Sequence, residues 1–174
     1  SDKFLVIGSN SFSGSQFIKF LIENDNNVIG VSRSEEINDV YLPYKWSYNN
    51  SNFKFYCIDI NHQLSELIEI INEFKPEYII NFAAQGMVAQ SWETPQDWYQ
   101  TNVVGQVKLH DHLRKLSFLK KYVHVTTPEA YGSTEGWIKE NFNFAPSTPY
   151  AVSRASCDLH LMSFFKAYDF PVVF

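Results

Sequence analysis

Phe4-Leu5-Val6-Ile7-Gly8-Ser9-Asn10-Ser11-Phe12-Ser13-Gly14 is the stretch of this chain that decides the fold. Its first four residues form a continuous apolar run, which is typical of a strand buried on both faces of a parallel sheet. The glycines that follow have the spacing GxxGxxG with Ser11 in the middle position, and a helix is predicted from about Gly14 to Asn24. A strand, a tight glycine turn and a helix in this order predict a loop that holds a diphosphate at the helix N-terminus. An ordinary strand–helix turn is the alternative.

The rest of the chain alternates short apolar runs with helical patterns. Further strands are predicted at 28–31, 53–58, 78–82, 122–126 and 172–174, and the polar stretch 32–52 is predicted to be irregular. Helices are predicted from a cap at Asn61 to Pro76, over about 94–116 and over about 149–168. This alternation predicts an α/β fold with a doubly wound parallel sheet, a Rossmann-type domain over residues 1–174. Because the last strand has only begun at Phe174, we expect the chain to be the front of a longer protein whose C-terminal substrate-binding part is missing.

The amino-acid composition argues against some classes of binding partner. The chain has 174 residues, 45% of them hydrophobic, and a formal net charge of −5. This charge argues against nucleic acid or an anionic membrane as the main partner, and no apolar run reaches the roughly 20 residues that span a bilayer. The two cysteines are too few for a disulfide framework. With no apolar leader at the start, a cytoplasmic location is expected.

Residues after the second and third predicted strands bear on the choice of dinucleotide. NAD-preferring sites usually carry an acidic residue after the second strand, whereas here Ser32 and Arg33 follow it. Arg33 could pair with a 2′-phosphate, which favours NADP over NAD; a solvated surface arginine is the alternative. Asp59, with Ile60 beside it, lies at the end of the third strand, where it could reach the adenine or cap a helix.

Four residues with catalytic chemistry follow the fifth predicted strand. Tyr150 and Arg154 lie four residues apart at the start of a helix and therefore share one face. A tyrosine is a poor base at neutral pH, and a cation one turn away stabilises its phenolate. Thr127 and Glu129 come directly after the strand, at the sheet edge where ligands of such folds bind. The alternatives are a surface Tyr–Arg pair and a loop that caps its own backbone.

Taken together, these segments resemble the extended short-chain dehydrogenase/reductase family, whose members modify nucleotide sugars. Gly8 to Gly14 resembles its glycine loop, Asn81-Phe82-Ala83-Ala84-Gln85 its Asn-x-Ala-Ala cofactor motif, and Tyr150 to Arg154 its Tyr-x-x-x-Lys. Asn102 resembles the family's structural asparagine. The resemblance implies that NAD or NADP is bound by Gly8, Ser11, Phe12, Ser13, Gly14, Ser32, Arg33, Asp59, Ile60, Ala83, Ala84, Gln85, Asn102, Tyr150 and Arg154.

Within that family, Thr127-Pro128-Glu129 most resembles the Thr-x-Glu of the nucleotide-sugar 4,6-dehydratases. The resemblance implies an NDP-hexose substrate that is transiently oxidised at carbon 4. Tyr150 would be the base at the 4-hydroxyl, Thr127 a hydrogen-bond partner of the same oxygen, and Glu129 the base at carbon 5. The alternatives are a 4-epimerase or reductase of the same family, and a cofactor-binding scaffold without catalysis.

Two positions depart from the family pattern. Pro128 stands where dTDP-glucose dehydratases carry an aspartate that protonates the leaving hydroxyl, and proline has no proton to donate. Arg154 stands in place of lysine; it keeps the positive charge but is larger and planar.

The resemblance also implies a homodimer through the helices at about 94–116 and 149–168. The five histidines show no spacing typical of metal ligands, so no metal is expected.

Overall fold

Six strands form one parallel sheet in a computed structural model that describes residues 1–47 and 50–174. They are β1 (Lys3–Ile7), β2 (Asn27–Ser32), β3 (Phe53–Cys57), β4 (Tyr78–Asn81), β5 (Lys121–His124) and β6 (Val172–Val173). Their order across the sheet is β3-β2-β1-β4-β5-β6, and every neighbouring pair is parallel. This is the strand order of the doubly wound dinucleotide-binding folds, so the predicted fold class is confirmed.

The described residues divide into two compact units, and the first contains the whole sheet. It comprises Ser1–Ala83, Leu116–Val125 and Pro171–Val173. Its helices are α1 (Phe12–Glu23) and α2 (Leu64–Phe74). The centre of β1 is fully buried because apolar side chains cover both of its faces. One core cluster joins β1, α1, β2 and the turn Pro43–Trp46 through Val6, Ile18, Leu21, Ile22, Val28, Leu42 and Tyr44.

The second unit is mostly helical and comprises Ala84–Lys115, Thr126–Phe170 and Phe174. Its helices are α3 (Pro95–Tyr99), α4 (Gly105–Leu113) and α5 (Pro149–Tyr168), with a π-helical turn at Gln100–Val104 between the first two. α5 begins where predicted: Thr148 caps it by accepting the N–H of Ala151, and Pro149 occupies the first helical position.

The long helix predicted over 94–116 is interrupted, and this prediction was wrong in detail. The π turn separates α3 from α4 around Asn102, and α4 ends at Leu113. π turns inside helices often mark functional positions. Here the extra residue coincides with a buried asparagine whose amide bonds outside its own helix.

Smaller boundary errors have local causes. α1 begins at Phe12 and not at Gly14, because the Ser11 side chain accepts the Gly14 N–H and acts as the N-cap. α2 begins at Leu64 without a side-chain cap, so Asn61 does not cap it. The strands predicted to 58, 82 and 126 end at Cys57, Asn81 and His124, since each ladder stops where its neighbouring strand stops.

The stretch 32–52, predicted to be irregular, contains two 3₁₀ turns, Asp39–Tyr41 and Pro43–Trp46. Tyr48 and Asn49 of that stretch lie outside the described residues. Among the described residues, no helix combines the length and apolarity needed to cross a bilayer.

Candidate functional site

The glycine loop lies at the point where the strand order of the sheet reverses, at the carboxyl ends of β1 and β4. Gly8 has a φ of +87°, and its N–H donates to Val31 O at 2.8 Å. The Ser11 hydroxyl donates to Gly8 O at 2.7 Å and accepts the Gly14 N–H at 3.0 Å. The turn is therefore closed by hydrogen bonds within itself. Phe12 and Ser13 are exposed in the first turn of α1, where backbone N–H groups have no partner inside the helix.

Both glycines are required by close backbone approach. A Cβ on Gly14 would lie 2.2 Å from Gly8 O, and a Cβ on Gly8 would lie 2.9 Å from Ala83 N. A side chain at either position would thus displace the loop from the helix or from the end of β4. The backbone concavity and the helix N-terminus fit the diphosphate of a dinucleotide, which such loops bind through N–H groups and the helix dipole.

Ser32 braces the glycine loop. It is 8% exposed, and its hydroxyl accepts the Asn10 N–H at 2.9 Å and lies 3.3 Å from the hydroxyl of Ser9. The Asn10 amide then donates to Ser34 O and Glu35 O. Ser32 thus holds the end of β2 against the loop, while its contact with a cofactor stays a prediction.

Arg33 and Asp59 influence each other at this end of the sheet. Arg33 is exposed, while Asp59 and Ile60 are half-buried. Burial opposes ionisation of Asp59, but hydrogen bonds from the Asn61 N–H and from His62, with the charge of Arg33, outweigh it and lower the pKa of Asp59. The field of Arg33 therefore acts on a carboxylate as well as on any ligand.

The cofactor motif that follows β4 is held by hydrogen bonds at both of its ends. In the first unit, the Asn81 side chain accepts the Ala83 N–H at 2.9 Å. In the second unit, Asn102 accepts the Gln85 N–H at 2.7 Å and donates to Gln85 O at 3.0 Å, and it is 2% exposed. Asn102 thus fixes both backbone polar groups of Gln85, next to Ala84. This geometry agrees with a structural role, while direct contact with a cofactor stays a prediction.

Thr127 and Glu129 lie in one short turn. Thr127 is the N-cap of the 3₁₀ turn Pro128–Tyr131, and its hydroxyl accepts the Glu129 N–H at a long 3.4 Å. Pro128 suits the first position of this turn because its φ is fixed and it needs no acceptor. Glu129 is exposed. The Thr127 hydroxyl therefore caps its own turn weakly, and the carboxylate of Glu129 is open to a ligand.

Tyr150 and Arg154 lie on the first two turns of α5, as expected. Tyr150 is half-buried, whereas Arg154 is only 5% exposed. The alternative of a surface Tyr–Arg pair is therefore wrong for Arg154. A buried guanidinium requires compensating partners, because removing a charge from water is costly.

Asp158, one turn further along α5, lies within the field of Arg154, and the sequence interpretation missed it. It is 1% exposed and accepts a hydrogen bond from the Thr126 hydroxyl. Burial raises the pKa of Asp158 to about 6, although the Thr126 hydrogen bond and the charge of Arg154 act in the opposite direction. The spacing of Arg154 and Asp158 is the only sequence signal that could have found it. Asp158 also lines a cavity of about 490 Å³ together with Thr126, Thr127, Pro128, Tyr131, Glu140, Asn141, Phe142, Phe144 and Phe174.

Burial of Asp158 makes folding stability depend on pH. Its pKa is higher in the folded chain than the ordinary 3.8, so the folded state holds a proton that the unfolded state has released. The contribution of Asp158 to stability is then greatest below its ordinary pKa and is lost as the pH rises through about 6. We expect the stability of the wild type relative to Asp158→Asn to fall by about 3 kcal/mol between acid and neutral pH. Urea unfolding of both proteins across this range measures it, with Asp169→Asn at the exposed end of α5 as control; a difference that is flat with pH contradicts the assignment.

Comparisons of this chain with a family model and with curated proteins indicate the same family. Residues 5–174 match the family model described as GDP-mannose 4,6 dehydratase. A probable dTDP-glucose 4,6-dehydratase of Sinorhizobium fredii is 28% identical, over 98% of this chain and 51% of that protein.

Solved structures agree with this match. The dTDP-glucose 4,6-dehydratase of Bacillus anthracis in complex with NAD superposes with a TM-score of 0.80 and 27% identity, covering 99% of this chain and 53% of that one. The UDP-glucose 4-epimerase of Thermotoga maritima with UDP-glucose gives a TM-score of 0.82 and 27% identity, with coverages of 98% and 53%.

The chain spans about half the length of the curated relatives it matches. The match itself extends over nearly the whole chain, and the named relatives include both dehydratases and 4-epimerases. The family model, the parallel sheet and the glycine loop agree, and the chain belongs to the GDP-mannose 4,6-dehydratase family of the extended short-chain dehydrogenases/reductases, the NAD-dependent epimerases and dehydratases of nucleotide sugars.

Proposed function

We propose that the protein is a nucleotide-sugar 4,6-dehydratase, which converts an NDP-hexose into an NDP-4-keto-6-deoxyhexose with bound NAD or NADP. The observation that carries the proposal is Glu129, an exposed carboxylate in the turn that Thr127 caps. Dehydration across carbons 5 and 6 needs a base for the carbon 5 proton, whereas epimerisation at carbon 4 does not. The relatives named as dTDP-glucose 4,6-dehydratases support this choice.

Each proposed residue has a defined proton to move or hold. When bound, the dinucleotide would supply the oxidant for carbon 4 and return the same hydride to carbon 6. Tyr150 takes the proton of the 4-hydroxyl as the general base, and Arg154 lies one helical turn further along α5. Thr127 donates a hydrogen bond to the same sugar oxygen. Glu129 removes the proton at carbon 5, which the adjacent 4-keto group has made acidic.

Loss of the 6-hydroxyl needs a proton, because hydroxide is a poor leaving group. Pro128 has none to give, and it is fixed at the start of the turn. Glu129 is then the donor: the proton that it takes from carbon 5 goes to the departing oxygen, which leaves as water. One carboxyl group thus acts first as base and then as acid. When hydride returns to carbon 6, carbon 5 takes a proton from solvent, which replaces the one lost with the water, and the 4-hydroxyl proton taken by Tyr150 passes to solvent.

The proposal includes either dinucleotide. The neighbouring structures with NAD support a nicotinamide cofactor. Arg33 favours NADP, since its guanidinium could pair with a 2′-phosphate. Asp59 lies within the field of Arg33 and carries the opposite charge, which offsets part of that attraction.

Turnover in D₂O tests the reaction with the whole natural polypeptide. We expect a 4-keto-6-deoxy product that carries deuterium at carbon 5, with no net consumption of NAD(P), as read by mass spectrometry and NMR. A product that keeps its 6-hydroxyl and gains no deuterium at carbon 5 would identify a 4-epimerase. Cofactor binding without turnover of any NDP-hexose would support the scaffold alternative, which the substitutions at Pro128 and Arg154 motivate.

A further inference from the structure

Both backbone polar groups of Tyr150 are bound by buried hydroxyl groups. The Tyr150 N–H donates to the Ser91 hydroxyl at 3.1 Å, and Tyr150 O accepts from the Ser153 hydroxyl at 2.7 Å. Both serines are 0% exposed. The backbone of the tyrosine is therefore held on both sides at the start of α5.

Both serine hydroxyl groups are connected by hydrogen bonds to the segment that follows β4. The Ser91 hydroxyl donates to Val88 O at 2.6 Å. The Ser153 hydroxyl accepts from the Asn102 amide at 3.0 Å, and that amide also donates to Gln85 O at 3.0 Å. A hydrogen-bonded ring therefore joins Tyr150 to residues 85–88, which continue the cofactor motif.

The N-terminus of α5 explains why Ser91 matters to the tyrosine. The first N–H groups of a helix have no acceptor inside the helix. Pro149 has no N–H, and Thr148 accepts that of Ala151. The N–H of Tyr150 at the second helical position is left for a group from outside the helix, and Ser91 supplies it. Removing the hydroxyl would leave this N–H and Val88 O without these bonds at a site closed to bulk water.

We propose that Ser91 is a positioning residue for Tyr150, which sets the start of α5 relative to the segment 85–88. Ser153 completes the ring from the other side. The inference rests on the role proposed for Tyr150, but it holds for a dehydratase and for a 4-epimerase alike, since both must oxidise carbon 4. It requires that Ser91 affect the rate of that oxidation more than cofactor affinity.

Three variants of the whole polypeptide test the proposal: Ser91→Ala, Ser91→Thr and, as matched control, Ser156→Ala. Ser156 also lies on α5, but its hydroxyl donates only to Val152 O of its own helix among the hydrogen bonds described for it. Single-turnover reduction of bound NAD(P) by an NDP-hexose gives the rate of carbon 4 oxidation. We expect Ser91→Ala to lower this rate by about 10-fold, because small displacements of a reacting group have large kinetic effects.

Two readouts separate positioning from general damage. The Kd of NAD(P) should change by less than about 2-fold in Ser91→Ala, and amide exchange at Tyr150 in the cofactor-free protein should accelerate by about 10-fold as its acceptor is lost. Ser91→Thr should restore both the rate and the protection, and Ser156→Ala should alter neither. Because the extra methyl group of threonine could disturb a buried site, Ser153→Ala gives a second test, with the same loss of rate at unchanged cofactor affinity.

Failure of the proposed function and failure of the inference about Ser91 give different results. Wild type that reduces bound NAD(P) but forms no 4-keto-6-deoxy product overturns the proposed function and leaves the role of Ser91 to be read from its variants. An Ser91→Ala rate equal to wild type overturns the inference alone. So does a loss of rate that Ser156→Ala shares, or one that accompanies an equal loss of cofactor affinity.

Discussion

Tyr150→Phe is expected to lower the rate of carbon 4 oxidation by about 10²- to 10⁴-fold, the range typical for loss of a general base. Phenylalanine keeps the ring in its half-buried position on α5 and removes only the hydroxyl. The N–H of residue 150 donates to Ser91 and its carbonyl accepts from Ser153, so neither bond involves the side chain and the helix start should be unchanged. Single-turnover reduction of bound NAD(P) by an NDP-hexose measures the effect.

Tyr168→Phe is the matched control, because it makes the same change at the exposed end of the same helix, where the ring packs on Arg114. It should keep the wild-type rate. Cofactor affinity and melting temperature should be near wild type in both variants. If Tyr150→Phe oxidised its substrate at the wild-type rate, another group would have to take the 4-hydroxyl proton, and the assignment of α5 as the catalytic helix would be lost.

Most of the fold could be predicted from the sequence, because the strands are short apolar runs and the helices begin at residues that favour helix N-termini. Val6 and its neighbours in β1 form a short apolar run that is typical of a strand buried on both faces, and Thr148 with Pro149 marks the start of α5. Strand ends were less predictable, since they depend on where the neighbouring strand stops. The π turn at Gln100–Val104 could not be predicted from periodicity, because one inserted residue leaves the apolar pattern of the helix nearly intact.

Residues that stand in a recognisable local sequence pattern could also be predicted. Residues that position them through hydrogen bonds from distant parts of the chain could not. Gly8, Gly14 and Tyr150 stand in patterns that a phosphate loop or a base requires. Ser91 is an unremarkable serine 59 positions from Tyr150, and only the folded chain brings its hydroxyl to that N–H. Asp158 has a spacing signal with Arg154, but its burial and its bond to Thr126 depend on tertiary packing.

Arg154 illustrates how packing changes the meaning of a substitution. On an exposed surface, arginine in place of lysine would be a minor change. At 5% exposure the guanidinium needs a compensating charge, and the field of Arg154 reaches the buried carboxyl of Asp158 on the next turn. A positively charged residue one turn after Tyr150 is thus kept on α5 although the lysine is absent.

Glu129→Gln is expected to lower the rate of dehydration by about 10²-fold or more, while the rate of carbon 4 oxidation is retained. Glutamine has nearly the same shape but can neither take the carbon 5 proton nor give it to the leaving hydroxyl. The reduced dinucleotide should therefore accumulate in a single turnover, since the acceptor carbon for hydride return is never formed. Absorbance of the reduced nicotinamide and NMR of the sugar measure the two steps separately.

Glu135→Gln supplies the control, because Glu135 is an exposed carboxylate in the loop that follows the same turn. It should dehydrate at the wild-type rate. The Thr127 cap bonds the backbone N–H of residue 129, so the substitution should not unfold the turn. If Glu129→Gln still formed the 4-keto-6-deoxy product at full rate, the carbon 5 base would lie elsewhere. If Glu129→Gln lost oxidation as well as dehydration, Glu129 would be needed already in the first step. Loss of dehydration alone would identify Glu129 as the base at carbon 5.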